Sequence, residues 1–129
     1  MAAKKILVVD DEETSIKIIK KAIEAEGHDL LEAYTGQETL DKIRGHMPDL
    51  VLMDIVLPDI DGAEVVKALL DNPRFEKIKV IFISSLAVEP ENPGMSKTTL
   101  KVGAQYFPAF PKPFHPSELV AEVRAVLGQ

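Results

Sequence analysis

Asp49-Leu50-Val51-Leu52-Met53-Asp54-Ile55-Val56-Leu57-Pro58 is the stretch whose reading decides the fold. Its apolar residues follow one another without alternation, the pattern of a strand buried on both faces of a parallel sheet. The run ends in a carboxylate, so Asp54 stands where a buried strand gives way to a loop. Two other runs behave alike. Ile6-Leu7-Val8-Val9 ends in Asp10-Asp11, and Val80-Ile81-Phe82-Ile83 ends in Ser84-Ser85. If the three strands are parallel neighbours, their carboxyl ends line the crevice in which open α/β sheets place their ligands.

Outward from this stretch, short Val- and Ile-rich runs alternate with segments of helical period, the signature of βαβ units around a parallel sheet. The spacing predicts five strands, at residues 4–10, 28–33, 50–54, 79–84 and 104–107. Helices are expected at 13–26, 37–45, 62–70 and 116–127. In the first, Ile16, Ile19, Ala22 and Ile23 share one face, and Gly27 ends it as glycines past a helix end do. Asp61 is placed to cap the third helix, with Glu64 at capping-box spacing, and Pro116 to open the last. A further helix, the fourth of five in chain order, is expected to be short or irregular. Pro90, Pro93 and Gly94 delay it to about Met95, and it ends at Gly103.

A chain of 129 residues fits one domain, 1–129. The formal charge of −6 argues against non-specific binding to nucleic acid or to an anionic membrane. The absence of cysteine excludes thiol catalysis, thiolate metal sites and disulfides. No apolar stretch approaches the roughly 20 residues that span a bilayer, and the first residues are too short a lead for a signal peptide. A cytoplasmic location is expected.

Glu12 and Glu13 are explained equally well as acids favouring a helix N-terminus. Asp10 and Asp11 come directly off a strand and, with Asp54, form a cluster that repels itself unless a cation intervenes. Mg²⁺ suits a few carboxylates while keeping several waters. Lys112, held between Pro111 and Pro113, is placed to aim one ammonium at the same crevice, and Ser84 supplies a hydroxyl. Three carboxylates against one divalent cation and one lysine leave a nearly neutral pocket, to which a phosphoryl group adds a ligand for both cations.

Together these residues resemble the receiver domains of two-component response regulators, in the stand-alone form known from chemotaxis regulators. The elements that match are Val8-Val9-Asp10-Asp11-Glu12, Leu52-Met53-Asp54, Pro58-Asp59-Ile60-Asp61-Gly62, Ile83-Ser84-Ser85, Gly103-Ala104 and Lys112-Pro113-Phe114. The resemblance implies a flavodoxin-like, doubly wound α/β fold with sheet order 2-1-3-4-5 and about five flanking helices. It implies Asp54 as the phosphoacceptor, and Mg²⁺ held by Asp10, Asp11, Asp54 and the carbonyl of Val56. Ser84 and Lys112 bind phosphoryl oxygens, and the bond between Lys112 and Pro113 is cis. A sensor histidine kinase or a histidine phosphotransfer protein is the implied donor. The expected signal is a conformational change of a partner-binding face, in a monomer or weak homodimer that touches neither nucleic acid nor membrane directly and is not an enzyme in its own right.

Other classes fit less well. Haloacid-dehalogenase-like phosphatases carry a second Asp two positions after the nucleophile, where this chain has Val56. A flavin-binding module wants a phosphate loop where Asp10-Asp11-Glu12-Glu13 would repel one. A receiver used only for interaction would lack an acid or the lysine. The chain departs from the receiver pattern between Ser84 and Gly103, which is several residues longer than usual and contains Glu89-Pro90-Glu91-Asn92-Pro93-Gly94. The switch aromatic falls on Phe107 counting forward from Gly103, and on Ala109, beside Phe110, counting back from Lys112. Residues 88–100 are expected to be mobile. His115 stands where an acidic helix cap is common. Val56 and Leu86 border the approach of water to Asp54 and lack hydrogen-bonding groups, so a long-lived acyl phosphate is expected.

Overall fold

The structure is a computed structural model, and it describes residues 3–84 and 98–128. In chain order it contains β1 (Lys5–Val9), α1 (Glu13–Glu24), β2 (Asp29–Ala33), α2 (Gly36–His46), β3 (Leu50–Asp54), α3 (Gly62–Leu70), a 3₁₀ turn (Pro73–Phe75), β4 (Lys79–Ser84), β5 (Thr98–Val102), β6 (Gln105–Pro111) and α4 (Pro116–Val126). The strands form one sheet of order β2-β1-β3-β4-β6-β5. All pairings are parallel except that of β5 with β6.

The central strands β1, β3 and β4 are buried on both faces, which explains why they read as continuous apolar runs. Side chains alternate between the faces. Leu7, Val9, Val51, Met53 and Phe82 pack with Val65, Val66 and Leu69 of α3 and with Ile43 of α2. On the other face Ile6, Val8, Leu50, Leu52 and Ile81 meet Ile16, Ile19 and Ile23 of α1 and Leu119 and Val123 of α4. The doubly wound class follows from this division: each described α-helix brings one apolar stripe and covers one face.

Local chemistry sets the helix ends. Gly27, at φ 85°, closes the turn after α1 in a conformation that side-chain-bearing residues resist. Asp61 caps α3 by accepting from the Ala63 N–H at 2.7 Å. Thr35 caps α2 through the Glu38 N–H at 3.1 Å, and the Glu38 carboxylate accepts in turn from the Tyr34 N–H at 2.9 Å. His115 makes no side-chain cap to α4, whose first residue is Pro116.

The expectations need correction on the side of the sheet beyond β4. Where a fourth helix was expected to end, residues 98–102 form an antiparallel edge strand instead. Thr98, Thr99 and Val102 are β-branched, and Thr98, Leu100 and Val102 point to one face, a period of two rather than 3.6. Gly103, at φ 62°, and Ala104 make the two-residue connection into β6, with Val102 paired to Gln105. The strand expected at 104–107 runs to Pro111, and the described sheet has six strands rather than five. Four α-helices lie among the described residues. Pro90, Pro93, Gly94, Met95, Ser85, Leu86 and the mobility expected for residues 88–97 lie outside them.

Candidate functional site

The register of the sheet brings four strand ends to one place. Val9 pairs with Met53, Asp54 with Ile83, and Ser84 with Pro111. Asp10 follows the first of these ends, Asp54 is itself the second, Ser84 the third, and Lys112 follows the fourth. The Lys112 N–H donates to the Ser84 carbonyl at 2.6 Å, and the Asp10 N–H to the Ala33 carbonyl at 3.1 Å. Backbone ladders thus deliver the side chains. The Lys112–Pro113 bond is cis, as the resemblance implied.

Lys112 Nζ lies 2.5 Å from Asp10 Oδ2 and 3.2 Å from Asp54 Oδ2, so one ammonium bridges both acids. Asp10 and Asp54 are 1% and 2% exposed, a depth at which an unpaired carboxylate would be costly. Burial holds the Asp54 carboxyl above its ordinary value, and the neighbouring charge of Asp10 pushes the same way. The Lys112 charge and hydrogen bond and the Val56 N–H oppose them without reversing the direction. Burial alone would lower Lys112. Its hydrogen bond to Asp10 and the charges of Asp54 and Asp10 outweigh that and hold it above the usual lysine value.

The loop after Asp54 folds back on it. Val56 donates its N–H to Asp54 Oδ1 at 3.2 Å. Gly62, which opens α3, donates to the Ile55 carbonyl at 2.7 Å. A Cβ there would lie 2.3 Å from the Asp54 carbonyl oxygen, so only glycine lets the helix approach the strand end this closely.

Carboxylate oxygens of Asp10, Asp11 and Glu12 lie within 4.8 Å of one another. Asp10 is buried and the other two exposed, and the Glu12 N–H donates to Asp10 Oδ1 at 2.9 Å. This donor set consists of hard oxygens open to water on one side, and it fits Mg²⁺ or Ca²⁺ better than a softer metal. Asp54 reaches the group across the Lys112 ammonium. Glu12, which the sequence divides between the site and the start of the helix, stands at both: it is the N-cap position of α1 and a member of this oxygen group.

An open groove of about 370 Å³ lies beside Lys112, lined by Glu12, Ser15, Ile18, Lys112, Pro113 and Phe114. Phe107 is elsewhere. It packs edge-on against Phe82 at 5.8 Å and 86°. Ser84 pairs with Pro111, four residues further along β6, which is roughly 13 Å of strand. Ala109, two residues from Pro111, shares the face of Phe107, and Phe110 belongs to the opposite core. The structure therefore gathers Asp10, Asp11, Asp54, Val56, Ser84 and Lys112, and leaves Phe107 apart from Ser84.

A doubly wound sheet with buried acids and a bridging lysine at the carboxyl ends of its parallel strands defines a class of α/β proteins with a charged site where open sheets bind their ligands. Comparison with known proteins is more specific. The model of the response regulator receiver domain matches residues 6–124, and the chain belongs to that family. It is 38% identical over 125 residues to the alkaline phosphatase synthesis transcriptional regulatory protein PhoP of Bacillus subtilis, covering 96% of this chain and 48% of that protein. The chain thus spans about half the length of that relative. Over 86 residues it is 40% identical to the polar-differentiation response regulator DivK of Brucella ovis, covering 67% of this chain and 70% of that one. A CheY-like response regulator receiver domain protein from Methanospirillum hungatei superposes with a TM-score of 0.77 at 33% identity, over 98% of this chain and 95% of that one. No described helix is long and apolar enough to cross a membrane.

Proposed function

We propose that the chain, as a single receiver unit, accepts a phosphoryl group on Asp54 from a phosphohistidine of a sensor histidine kinase or phosphotransfer protein, in a Mg²⁺-dependent reaction. The observation that carries this reading is the Lys112 ammonium between the buried carboxylates of Asp10 and Asp54. Burial suppresses the carboxylate's charge until cations are near, and a cation already aimed at its oxygen is the electrostatic help that phosphoryl transfer requires.

An oxygen of Asp54 attacks phosphorus in line while the bond from phosphorus to the donor's imidazole nitrogen breaks. The imidazole leaves with the bonding pair, and an acyl phosphate forms. Lys112 turns from the free carboxylate toward a phosphoryl oxygen, and Ser84 donates its hydroxyl to another. Asp10, Asp11, Asp54 and the Val56 carbonyl would hold Mg²⁺, with Glu12 beside them. When bound, the ion neutralises the phosphoryl oxygens and orients them. The groove beside Lys112, with half-exposed Ile18 on its rim, leaves room for a donor side chain.

The protein acts as a stoichiometric phosphoacceptor and not as an enzyme that turns over a diffusible substrate. Ser84 and Phe107 carry the switch, coupled through Phe82, which shares a face with Ser84 and meets the Phe107 ring. The test is labelling by acetyl phosphate with and without Mg²⁺. Wild type should take up one phosphoryl group per chain only with Mg²⁺, and Asp54→Asn none. Label that persists in the variant, or in excess chelator, overturns the assignment.

A further inference from the structure

Asp59 lies in the loop after Asp54, and its side chain has an unusual set of partners. Oδ1 accepts from the Gly36 N–H at 2.7 Å and Oδ2 from the Gln37 N–H at 2.9 Å. Those are the first two N–H groups of α2, which no intrahelical carbonyl satisfies. The two bonds hold the Asp59 carboxyl below its ordinary range. Beside them Ile60 lies so close to Gly36 that a Cβ there would come within 2.2 Å of its side chain. The helix already has its own cap, since Thr35 serves the next free N–H, that of Glu38. Asp59 therefore adds to a capped helix and, in doing so, fastens the loop.

The other end of the loop is fastened as well. Gly62 N–H holds the Ile55 carbonyl, and Asp61 caps α3. Between these anchors stands Val56, whose N–H touches Asp54 Oδ1. We infer that Asp59 is a positioning residue for the metal and acceptor site, acting through the loop to fix where the Val56 carbonyl and the Asp54 carboxylate point. The inference rests on the reading of Asp54 as phosphoacceptor and of the Val56 carbonyl as a Mg²⁺ ligand. Without the clamp, the four residues from Val56 to Asp59 lose their tie to α2, and the peptide that presents the carbonyl shifts with them.

The experiment titrates MgCl₂ into wild type, Asp59→Ala, Asp59→Asn and Thr35→Ala, following amide resonances, with melting temperatures taken in chelator. Thr35→Ala removes a cap from the same helix without touching the loop, so it reports the cost of helix destabilisation alone. Asp59→Ala should weaken Mg²⁺ binding roughly 10-fold, as loss of a group that orients a ligand does. Asp59→Asn, which keeps one acceptor oxygen, should fall between it and wild type. Thr35→Ala should melt lower yet bind Mg²⁺ as wild type does. At saturating Mg²⁺, labelling of Asp59→Ala by acetyl phosphate should return to within about twofold of the wild-type rate, because the loss is in binding. Unchanged Mg²⁺ affinity in Asp59→Ala, or equal weakening in Thr35→Ala, would overturn the positioning role. If wild type itself takes no label, the reading of Asp54 falls first, whatever the variants do.

Discussion

The acidic end of the sheet and its β5–β6 edge are built from the same secondary structure under opposite constraints. At the acidic end, β1, β3 and β4 are buried on both faces, and each delivers one polar residue at its last position or just beyond it. Position there is dictated by parallel register, and the buried charges pair with one another. At the edge, β5 runs antiparallel, shows one side to water at Thr99 and Lys101, and meets β6 through a two-residue turn. Lys101 sits 5.6 Å from the ring of Tyr106, which is 66% exposed. The first region trades stability for chemistry. The second has only local geometry to satisfy. The comparison teaches that substitutions at the acidic end should change reaction rates far more than stability, and those at the edge the reverse.

Lys112 offers the largest way to break this contrast. Lys112→Met keeps the bulk and removes the only described cation bridging Asp10 and Asp54, so labelling by acetyl phosphate should slow by roughly 100- to 1000-fold, as for loss of a preorganised charge at a developing anion. A rate within about tenfold of wild type would mean that the pairing in the structure is structural only.

Val56 probes the reverse reaction. It is 46% exposed, stands two positions beyond the acceptor and offers no hydrogen bond to an incoming water. Val56→Glu supplies one, and should shorten the acyl phosphate lifetime by roughly 10- to 100-fold at unchanged melting temperature. Equal lifetimes in the two proteins would refute the idea that an apolar side chain here protects the phosphoryl group.

The same contrast governs what could be read from sequence. Strands buried on both faces announce themselves as unbroken apolar runs, so β1, β3 and β4 and the acids that follow them were legible within a residue or two. The Thr98-Thr99-Leu100-Lys101-Val102 stretch was harder. Its alternation is only five residues long, and the receiver pattern expects a helix before Gly103. The β-branched residues and the glycine at a two-residue turn were the available signals. In β6, Pro108 masked the strand because proline cannot donate to a ladder, and the pairing with β4 begins only at the next residue, Ala109. Pairing with an edge strand is what carries β6 back to Gln105. The clamp made by Asp59 left no trace in periodicity, since it joins residues more than twenty positions apart through a single side chain. By contrast, the Thr35-x-x-Glu38 spacing was a visible capping signal that would have started α2 at Gly36 rather than Gln37.

Gly103 tests the edge. It sits at φ 62°, and among the described residues a Cβ there would meet only Leu70 Cδ1, at an ordinary 3.8 Å. Space is therefore not the constraint; backbone conformation is. Gly103→Val should cost about 1–2 kcal/mol, from the left-handed conformation imposed on a β-branched residue, and Gly103→Asn clearly less. Neither should alter the labelling rate at Asp54. A rate that falls with stability would show that the hairpin and the acidic end are coupled more tightly than their separate architectures suggest.

The smallest effect sharpens the comparison from the acidic side, in the pH dependence of folding. Asp54 holds its proton more tightly when folded than when unfolded, because burial and Asp10 penalise its charge. A group with a raised native pKa contributes stability that is fully present below its unfolded value and is lost as pH rises through its folded value. Between the ordinary carboxylate value of 3.8 and that higher one, Asp54 should make the protein less stable as pH rises. One proton bounds the slope at about 1.4 kcal/mol per pH unit. Asp54→Asn removes the titration and leaves Lys112 paired with Asp10 alone. In excess chelator, the variant's stability should therefore lack this decline, and at neutral pH it should exceed that of wild type. Denaturant unfolding across the acid range measures both. Parallel pH profiles in the two proteins would mean that the Lys112 charge already compensates Asp54 in full, and that the acidic end carries no stability cost at its acceptor.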